Sequence, residues 1–258
     1  MICSGNPLLR IEGVSHTYDT NDGEAVIGVD VSLDIMEGET LALIGESGSG
    51  KSTLGQIALN LLTPTVGKVR YQDQDLTTLT DREMRPIRRD LQMIFQDPSS
   101  ALNPRMTIER AIADPIRSHG IMSDQFIPQR VRELLWQVGL DDRILACYPH
   151  QLSGGQCQRV VIARALACGP KFIMCDEATS ALDVSIQAQI LNLLVDIQKR
   201  SGMTYMFISH DLSVVRHFSD RIAVMFQGRL VELARTEDIF TNPRHAYTRK
   251  LLSVILPC

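Results

Sequence analysis

Short apolar runs alternate along this chain with longer stretches in which apolar residues recur three or four positions apart. The runs have the length and composition of buried strands, and the longer stretches have the spacing of helices that cover a sheet. The predicted strands are 8–14, 26–35, 40–44, 69–71, 91–95, 172–175, 204–209 and 221–226, with 69–71 at a sheet edge. The predicted helices are 51–62, 80–89, 107–118, 125–138 and 184–200. This alternation predicts an α/β fold with a mainly parallel sheet covered on both sides.

The middle of the chain, residues 97–155, carries no strong strand signal. It opens with the turn-rich segment 97–104, and the helix predicted next contains Pro115, which would bend it. We therefore expect a helical subdomain at 97–155, inserted between 8–96 and 156–255, which form the α/β core. The whole of 8–255 is then one domain.

The segment 45–52, GESGSGKS, fits the P-loop pattern G-x-x-x-x-G-K-[ST] and lies between a predicted strand and a predicted helix. Glycines allow tight turns that point successive N–H groups at phosphate oxygens, and the helix adds the positive end of its dipole. Lys51 is expected to reach the β- and γ-phosphates, and Ser52 to ligate Mg²⁺. The expected nucleotide contacts in this loop are Gly45, Ser47, Gly48, Gly50, Lys51, Ser52 and Thr53. The alternative is an ordinary loop rich in glycine and serine.

A second candidate is the apolar run 172–175, which ends in Asp176 and Glu177. A buried strand would deliver Asp176 beside the P-loop, where it can bind the nucleotide's Mg²⁺. Glu177 would then polarise the attacking water, since phosphoryl transfer depends mainly on positioning and charge. Taken alone, the pattern is also that of an ordinary strand running into a turn.

The segment 152–156, LSGGQ, resembles the signature of the ATP-binding-cassette (ABC) family, and the resemblance extends over essentially the whole chain. It implies a P-loop NTPase core with a mainly parallel sheet, an antiparallel β edge and an inserted helical subdomain. It also implies that Ser153, Gly154, Gly155 and Gln156 meet the γ-phosphate held by an opposite subunit. We also expect Ser153, Gly154 and Gly155 to open a further helix, so that N–H groups and the helix dipole would form that anion site.

Further positions match the family pattern in order. Tyr18 resembles the aromatic residue that stacks on adenine, and a core tyrosine is the alternative. Gln96 resembles the glutamine that touches Mg²⁺ and the attacking water. The segment 180–183 resembles the loop that crosses the dimer interface, and His210 resembles the histidine that contacts the γ-phosphate and steadies Glu177. The implied catalytic residues are thus Glu177, His210 and Gln96, and the implied metal ligands are Ser52, Gln96 and Asp176.

Two segments resemble the peptide/nickel importer branch of the family: 95–105, FQDPSSALNPR, and the tail 239–252, IFTNPRHAYTRKLL. The branch implies a second, paralogous ATPase subunit, two membrane permease subunits and an extracytoplasmic solute-binding protein. The transported solute is nickel, another metal chelate, a dipeptide or an oligopeptide. The chain stops at Cys258, soon after the tail, which favours the nickel or metal-chelate members. No role follows from the residue types of the tail beyond a helix that packs on its own domain.

Composition and charge narrow the alternatives. The formal net charge of -4 gives no basic field for nucleic acid, so no nucleic-acid partner is expected. The N-terminus has no signal-peptide pattern, and no run reaches the roughly 18 apolar residues that a membrane span requires. The six cysteines contain no C-x-x-C and are read as reduced thiols. We expect a peripheral protein at the cytoplasmic face of the inner membrane, held there by the permeases.

Three other classes share one or more of these motifs. DNA-repair and chromosome-organising ATPases insert long coiled coils or zinc modules between the two motifs, and this chain has neither sustained heptads nor C-x-x-C. Translation factors carry two cassettes, whereas this chain has one P-loop and one signature. An exporter ATPase stays open as an alternative, and the peptide/nickel motifs argue against it. One departure from the family pattern is Cys157. We expect the cysteine itself to have little effect on catalysis, and we hypothesise that it makes the ATPase sensitive to thiol reagents.

Overall fold

A computed structural model describes residues 6–20, 23–26, 28–180 and 182–253. These residues divide into two compact units: the first runs up to residue 82 and resumes at 204, and the second is 83–203. The predicted helical insertion, 97–155, lies within the second unit and contains helices and no strand. Its separation from the α/β core at residues 97 and 155 stays a prediction.

Strands and helices alternate through most of the described chain. In chain order the strands are β1 (Pro7–Ser15), β2 (Thr17–Thr20), β3 (Gly23–Val26), β4 (Val31–Met36), β5 (Thr40–Ile44), β6 (Val66–Tyr71), β7 (Gln74–Asp75), β8 (Leu91–Ile94), β9 (Phe172–Asp176), β10 (Thr204–Ile208), β11 (Arg221–Phe226) and β12 (Arg229–Arg235). The helices are α1 (Lys51–Ala58), α2 (Asp81–Asp90), α3 (Pro98–Ala101), α4 (Ile108–Ser118), α5 (Ile127–Gln137), α6 (Gly154–Leu166), α7 (Val184–Ser201), α8 (Leu212–Phe218), α9 (Thr236–Thr241) and α10 (Ala246–Ser253).

The first unit contains an antiparallel sheet with the strand order β4-β1-β6-β7, which confirms the predicted antiparallel element. Two details of the prediction are wrong. The strand predicted over 26–35 begins only at Val31, because Gly28 and Asp30 adopt positive φ values of 87° and 51° that extended backbone does not allow. The predicted edge strand β6 has β7 beyond it, so β7 forms the edge.

A two-stranded hairpin, formed by β2 and β3, lies between β1 and β4 in the chain. β2 pairs antiparallel with β3, and Tyr18 lies opposite Ala25. β2 continues to Thr20, and β3 begins at Gly23. The side chain of Tyr18 lies outside the described residues, and its adenine contact stays a prediction.

The parallel strands of the first unit centre on β5. β5 pairs in parallel with β10 on one side and with β11 on the other, and β12 continues antiparallel beyond β11. Every residue of β5 is buried, as expected for a parallel strand covered on both faces. The carboxyl ends of β5, β10 and β11 therefore lie at one edge, and the P-loop follows the first of them.

Helices α8, α9 and α10 enclose a buried cluster on this sheet that includes Ala42, Ile44, Val224, Ile239 and Leu252. Burying an aliphatic side chain of this size stabilises the fold by roughly 1.5–3 kcal/mol. The hydrophobic pattern does not predict β12, α8 or α9, because polar and charged residues interrupt their apolar positions. The tail does form a helix that packs on its own unit, as expected.

In the second unit, β8 and β9 pair in parallel, and the helices are α3 to α7 together with most of α2. The long helix α7 buries Ile190, Leu193, Leu194 and Ile197 on one face. The segment predicted as turns at 97–104 contains the single helical turn α3.

Helix α1 ends earlier than the predicted boundary at residue 62. Asn60 takes a left-handed conformation with φ 51°, and the N–H groups of Leu61 and Leu62 bond back to Gln56 O. A left-handed residue of this kind ends a helix, so the helical spacing beyond it is not realised.

Candidate functional site

The P-loop turns tightly from β5 into α1. Gly45 has φ 150°, and a Cβ atom there would lie 2.2 Å from the carbonyl oxygen of Met225, so the position admits only glycine. Gly50 is the N-cap of α1 with φ 95°, also a conformation that favours glycine. Ser47 and Gly48 are exposed, as is Ser52 in the first turn of the helix.

The N-terminus of α1 is suited to an anion. No side chain caps it, and no acidic residue lies in its first turn. The buried Lys51 donates from Nζ to Gly45 O at 2.9 Å and to Glu46 O at 2.8 Å. A lysine ammonium, a helix N-terminus and a glycine-rich turn together can bind the phosphates of a nucleotide.

The turn between β11 and β12 is hydrogen-bonded to the P-loop and so braces it. Gly228 donates its N–H to Ser49 O at 3.2 Å and accepts from Val29 N at 2.8 Å. Gly228 is not among the predicted site residues. The only local signal is the Gln227-Gly228 dipeptide, which marks a turn but not what the turn contacts.

Asp176 and Glu177 stand at the end of β9, in the second unit. The strand is buried up to Cys175, and Asp176 and Glu177 are half-buried. Glu177 has φ 47°, a left-handed conformation that costs a non-glycine residue on the order of 1 kcal/mol and that concentrates at functional sites. Ser180 N donates to Glu177 O at 3.0 Å, which closes the turn that presents this carboxylate.

Gln96 and Glu177, which are 81 positions apart in the chain, are in contact. Gln96 follows β8, the parallel neighbour of β9, and its Nε2 donates to Glu177 Oε2 at 3.1 Å and to Ser180 Oγ at 3.4 Å. Ser180 Oγ in turn donates to Glu177 O at 2.9 Å. The amide of Gln96 can therefore orient the carboxylate that the sequence analysis assigned to catalysis.

The LSGGQ segment forms the start of α6. Ser153 is the N-cap, its Oγ accepts from Gln156 N at 3.3 Å, and Gln156 Oε1 accepts from Ser153 N at 3.0 Å. This reciprocal capping box fixes the first turn of the helix. Ser153 and Gly154 are exposed, so the positive end of this helix is open to solvent within its unit.

The loop 180–183 leads into α7. Asp183 is the N-cap, and its Oδ1 accepts from Ile186 N at 3.0 Å and from Ser185 Oγ at 2.7 Å. The bond from Ile186 N, with that from Ser185, holds the pKa of Asp183 below its ordinary value. Ala181, the second residue of the predicted interface loop, lies outside the described residues.

His210 follows β10 in the first unit and is exposed. Its neighbours are fixed: Asp211 N donates to Ser209 Oγ at 3.0 Å, and Asp211 Oδ1 caps α8 by accepting from Ser213 N at 2.9 Å. The turn thus holds His210 outward at the same sheet edge as the P-loop.

Sequence comparison assigns the family. The model of the family described as "ABC transporter" matches residues 29–180 of this chain. A protein of Brucella ovis named as a peptide import ATP-binding protein is 48% identical over 249 residues, covering 96% of this chain and 78% of its own length. The chain belongs to the ABC transporter family. As a member it is an ATPase, and ATP is its nucleotide.

A second relative of this ABC ATPase is the glutathione import ATP-binding protein GsiA of Salmonella typhi. It is 44% identical over 261 residues, covering 98% of this chain. The chain spans only 42% of the length of GsiA.

Solved structures agree with the fold. The ATP-binding cassette MJ0796, in a dimeric post-hydrolysis state bound to ADP and Pi, superposes with a TM-score of 0.80 at 35% identity, covering 88% of this chain and 98% of its own. The protein cbiO1 from Clostridium perfringens, part of the ABC transporter complex cbiONQ, has a TM-score of 0.81 at 27% identity and covers 98% and 97%. The predicted P-loop ABC fold is confirmed.

Within the part of the chain that the structure describes, no helix has the length and apolar character to cross a membrane. Over those same residues, no cluster of three or more histidine, cysteine, aspartate and glutamate side chains is arranged to hold a metal ion.

Cys157 of this ABC ATPase is less accessible than the sequence suggested. It is 5% exposed, its Sγ donates to Pro149 O at 3.4 Å, and burial together with the charge of Asp97 raises the pKa of its thiol. Because the thiolate is the reactive form, we now expect resistance to thiol reagents. In the folded protein, a maleimide should label Cys157 at least about ten-fold more slowly than the half-buried Cys147, as mapped by peptide mass spectrometry.

The two thiols should react at similar rates in denaturant, which serves as the control. Equal labelling rates in the folded protein would contradict this expectation and restore the original hypothesis of a reactive Cys157.

Proposed function

We propose that this chain is the ATPase subunit of a peptide importer. The observation that carries the proposal is its 44–48% identity, over nearly the whole chain, to proteins named for import of peptides and of glutathione. The DPSSALNPR segment and the tail motif support the same branch. Residues 8–255 act as one nucleotide-binding domain, with 97–155 as its helical subdomain.

The nucleotide is bound first by the P-loop. Lys51 releases the carbonyl oxygens of Gly45 and Glu46 and donates to the phosphates, while the uncapped N-terminus of α1 faces the same charge. Ser47, Gly48, Ser52 and Thr53 supply further contacts, and Tyr18 stacks on the adenine.

Mg²⁺ accompanies the nucleotide in this proposal. The residues proposed to hold it are Ser52, Asp176 and Gln96, and a hydroxyl, a carboxylate and an amide carbonyl are the oxygen donors that this cation prefers. Mg²⁺ usually completes its shell with phosphates and water, so a dense protein cage is not required. Bound there, the ion would neutralise charge on the phosphates.

Hydrolysis depends on Glu177, which acts as the base that polarises the attacking water. Its contact with Gln96 orients the carboxylate, and the strained turn at Glu177 holds it at the strand end. His210 contacts the γ-phosphate and steadies Glu177.

In this proposal the signature helix, α6, contacts the nucleotide that a second ATPase subunit binds. The exposed N-terminus of α6, with Ser153, Gly154, Gly155 and Gln156, binds the γ-phosphate held by a partner ATPase subunit. ATP binding thus joins two subunits, and hydrolysis releases them.

The subunit works at the cytoplasmic face of the inner membrane. Its partners are a paralogous ATPase subunit, two permease subunits and, through them, an extracytoplasmic solute-binding protein. No nucleic acid takes part. Closure of the ATPase pair drives the permeases between inward and outward states.

The solute is a peptide in this proposal, and nickel or a metal chelate is the alternative. The relatives reported above are named for peptides and glutathione. The alternative rests on the resemblance to a branch that also includes nickel importers, a weaker indication than sequence identity.

Uptake in cells tests the proposal. Cells deleted for this gene should lose uptake of a labelled di- or tripeptide and keep uptake of radiolabelled nickel. Wild type should restore uptake, and Lys51→Ala should not. Loss of nickel uptake alone would replace the peptide proposal by a metal importer, and loss of neither would overturn both.

A further inference from the structure

Hydrogen bonds join the tail motif to strand β12. Glu232, 9% exposed, accepts from Arg244 N at 2.8 Å and from His245 N at 3.0 Å. Arg249 donates from Nη1 to Pro243 O at 3.2 Å and to Arg244 O at 2.9 Å. These bonds set the start of α10 at a fixed point on the sheet.

This placement carries Tyr247 into the core of the first unit. Its ring stacks on Phe226 with centroids 4.1 Å apart, and only 7% of the residue is exposed. Burial raises the pKa of Tyr247, so its phenol is neutral at physiological pH. Phe226 ends β11, next to the turn that braces the P-loop.

The hydroxyl of Tyr247 reaches the P-loop itself. Glu46 N donates to Tyr247 Oη at 3.0 Å, across 201 positions of sequence. The same peptide group carries the carbonyl of Gly45, which accepts from Lys51 Nζ at 2.9 Å. The Gly45–Glu46 peptide is therefore held at both ends, by a tail hydroxyl and by the P-loop lysine, and hydrogen bonds in such a chain polarise one another.

We propose that Tyr247 is a positioning residue for nucleotide binding, which holds the first peptide of the P-loop in the orientation that receives phosphates. A loop with glycines at 45, 48 and 50 has wide conformational freedom, and fixing it in advance removes part of the cost of ordering it on binding. The tail motif then has a mechanical role, since Glu232 and Arg249 fix the helix that carries this hydroxyl.

This inference rests on the proposed nucleotide site, and the test separates the two. Calorimetric titration of the purified full-length chain with ADP and Mg²⁺ would compare wild type with Tyr247→Phe, Tyr205→Phe and Lys51→Ala. Phenylalanine keeps the stacking ring and removes only the hydroxyl. Tyr205 is a matched control, because it is fully buried in the same unit but pairs with Thr40 at the opposite end of β5 from the P-loop.

Tyr247→Phe should weaken ADP binding about five-fold, the effect of one lost hydrogen bond. Tyr205→Phe should leave the Kd for ADP within two-fold of wild type, while it lowers the melting temperature about as much as Tyr247→Phe does. A purely structural role of Tyr247 would not produce this difference between the two variants. All titrations run at a temperature below the unfolding transition of the least stable variant.

Two outcomes would overturn these conclusions separately. If Lys51→Ala loses ADP binding but Tyr247→Phe binds as wild type does, Tyr247 has no positioning role and the nucleotide site stands. If Lys51→Ala binds ADP as wild type does, the proposed nucleotide site itself fails.

Discussion

Replacing Glu177 with glutamine is expected to lower kcat for ATP hydrolysis at least about 100-fold, the contribution typical of a general base. The affinity for ATP should stay within about two-fold, since a general base acts on the transition state rather than on ground-state binding. Glutamine keeps the shape of the side chain and an oxygen that can accept from Gln96 Nε2, so the turn at 177–180 should survive.

Steady-state phosphate release and equilibrium ATP binding measure the two parts of this prediction. A matched control is Glu109→Gln, which removes an exposed carboxylate from the first turn of α4 and should change neither quantity. Full hydrolysis by Glu177→Gln would remove Glu177 from the catalytic role, and Gln96 or His210 would have to be tested in its place.

Replacing Lys51 with alanine should weaken ATP binding by about 100-fold or more, because hydrogen bonds from a charged donor contribute roughly 1.5–3 kcal/mol each and two such bonds to phosphate would be lost. The same change also frees the carbonyl oxygens of the buried Gly45 and of the exposed Glu46, and the second of these can bond to water. The free energy of unfolding should therefore decrease less than the free energy of ATP binding.

Isothermal titration with ATP and circular dichroism melting would measure the two effects. Lys68→Ala is the matched control: it removes a lysine of the same unit whose Nζ lies 3.5 Å from Asp75, outside the P-loop. An ATP affinity in Lys51→Ala equal to that of wild type would contradict the P-loop assignment and, with it, the proposed nucleotide chemistry.

Elements with strong periodicity were predictable nearly to the residue. β5 and β11 match their predicted ranges at both ends, because parallel strands buried on both faces form nearly continuous apolar runs. α7 matches within one residue, since its buried stripe, an N-cap aspartate and Gly202 mark both ends. The P-loop was recognisable for a similar reason, because its glycines adopt the positive φ values that its tight turn requires locally.

Elements whose limits depend on backbone torsion were not predictable in this way. Asp30 and Asn60 take left-handed conformations and cut β4 and α1 short, although neither residue type is confined to that region. Glu177 takes the same conformation at the end of β9, and nothing in its local sequence requires it.

The sequence by itself determined the class of fold, the phosphate loop and the order of the motifs, because each depends on residues adjacent in the chain. Only the tertiary structure decided which distant groups meet: Gln96 with Glu177, Gly228 with Ser49, and Tyr247 with Glu46. Such contacts join positions tens to hundreds of residues apart, and one hydroxyl or amide contributes little to local periodicity. The role of the tail therefore became visible only once α10 was placed against the end of β11.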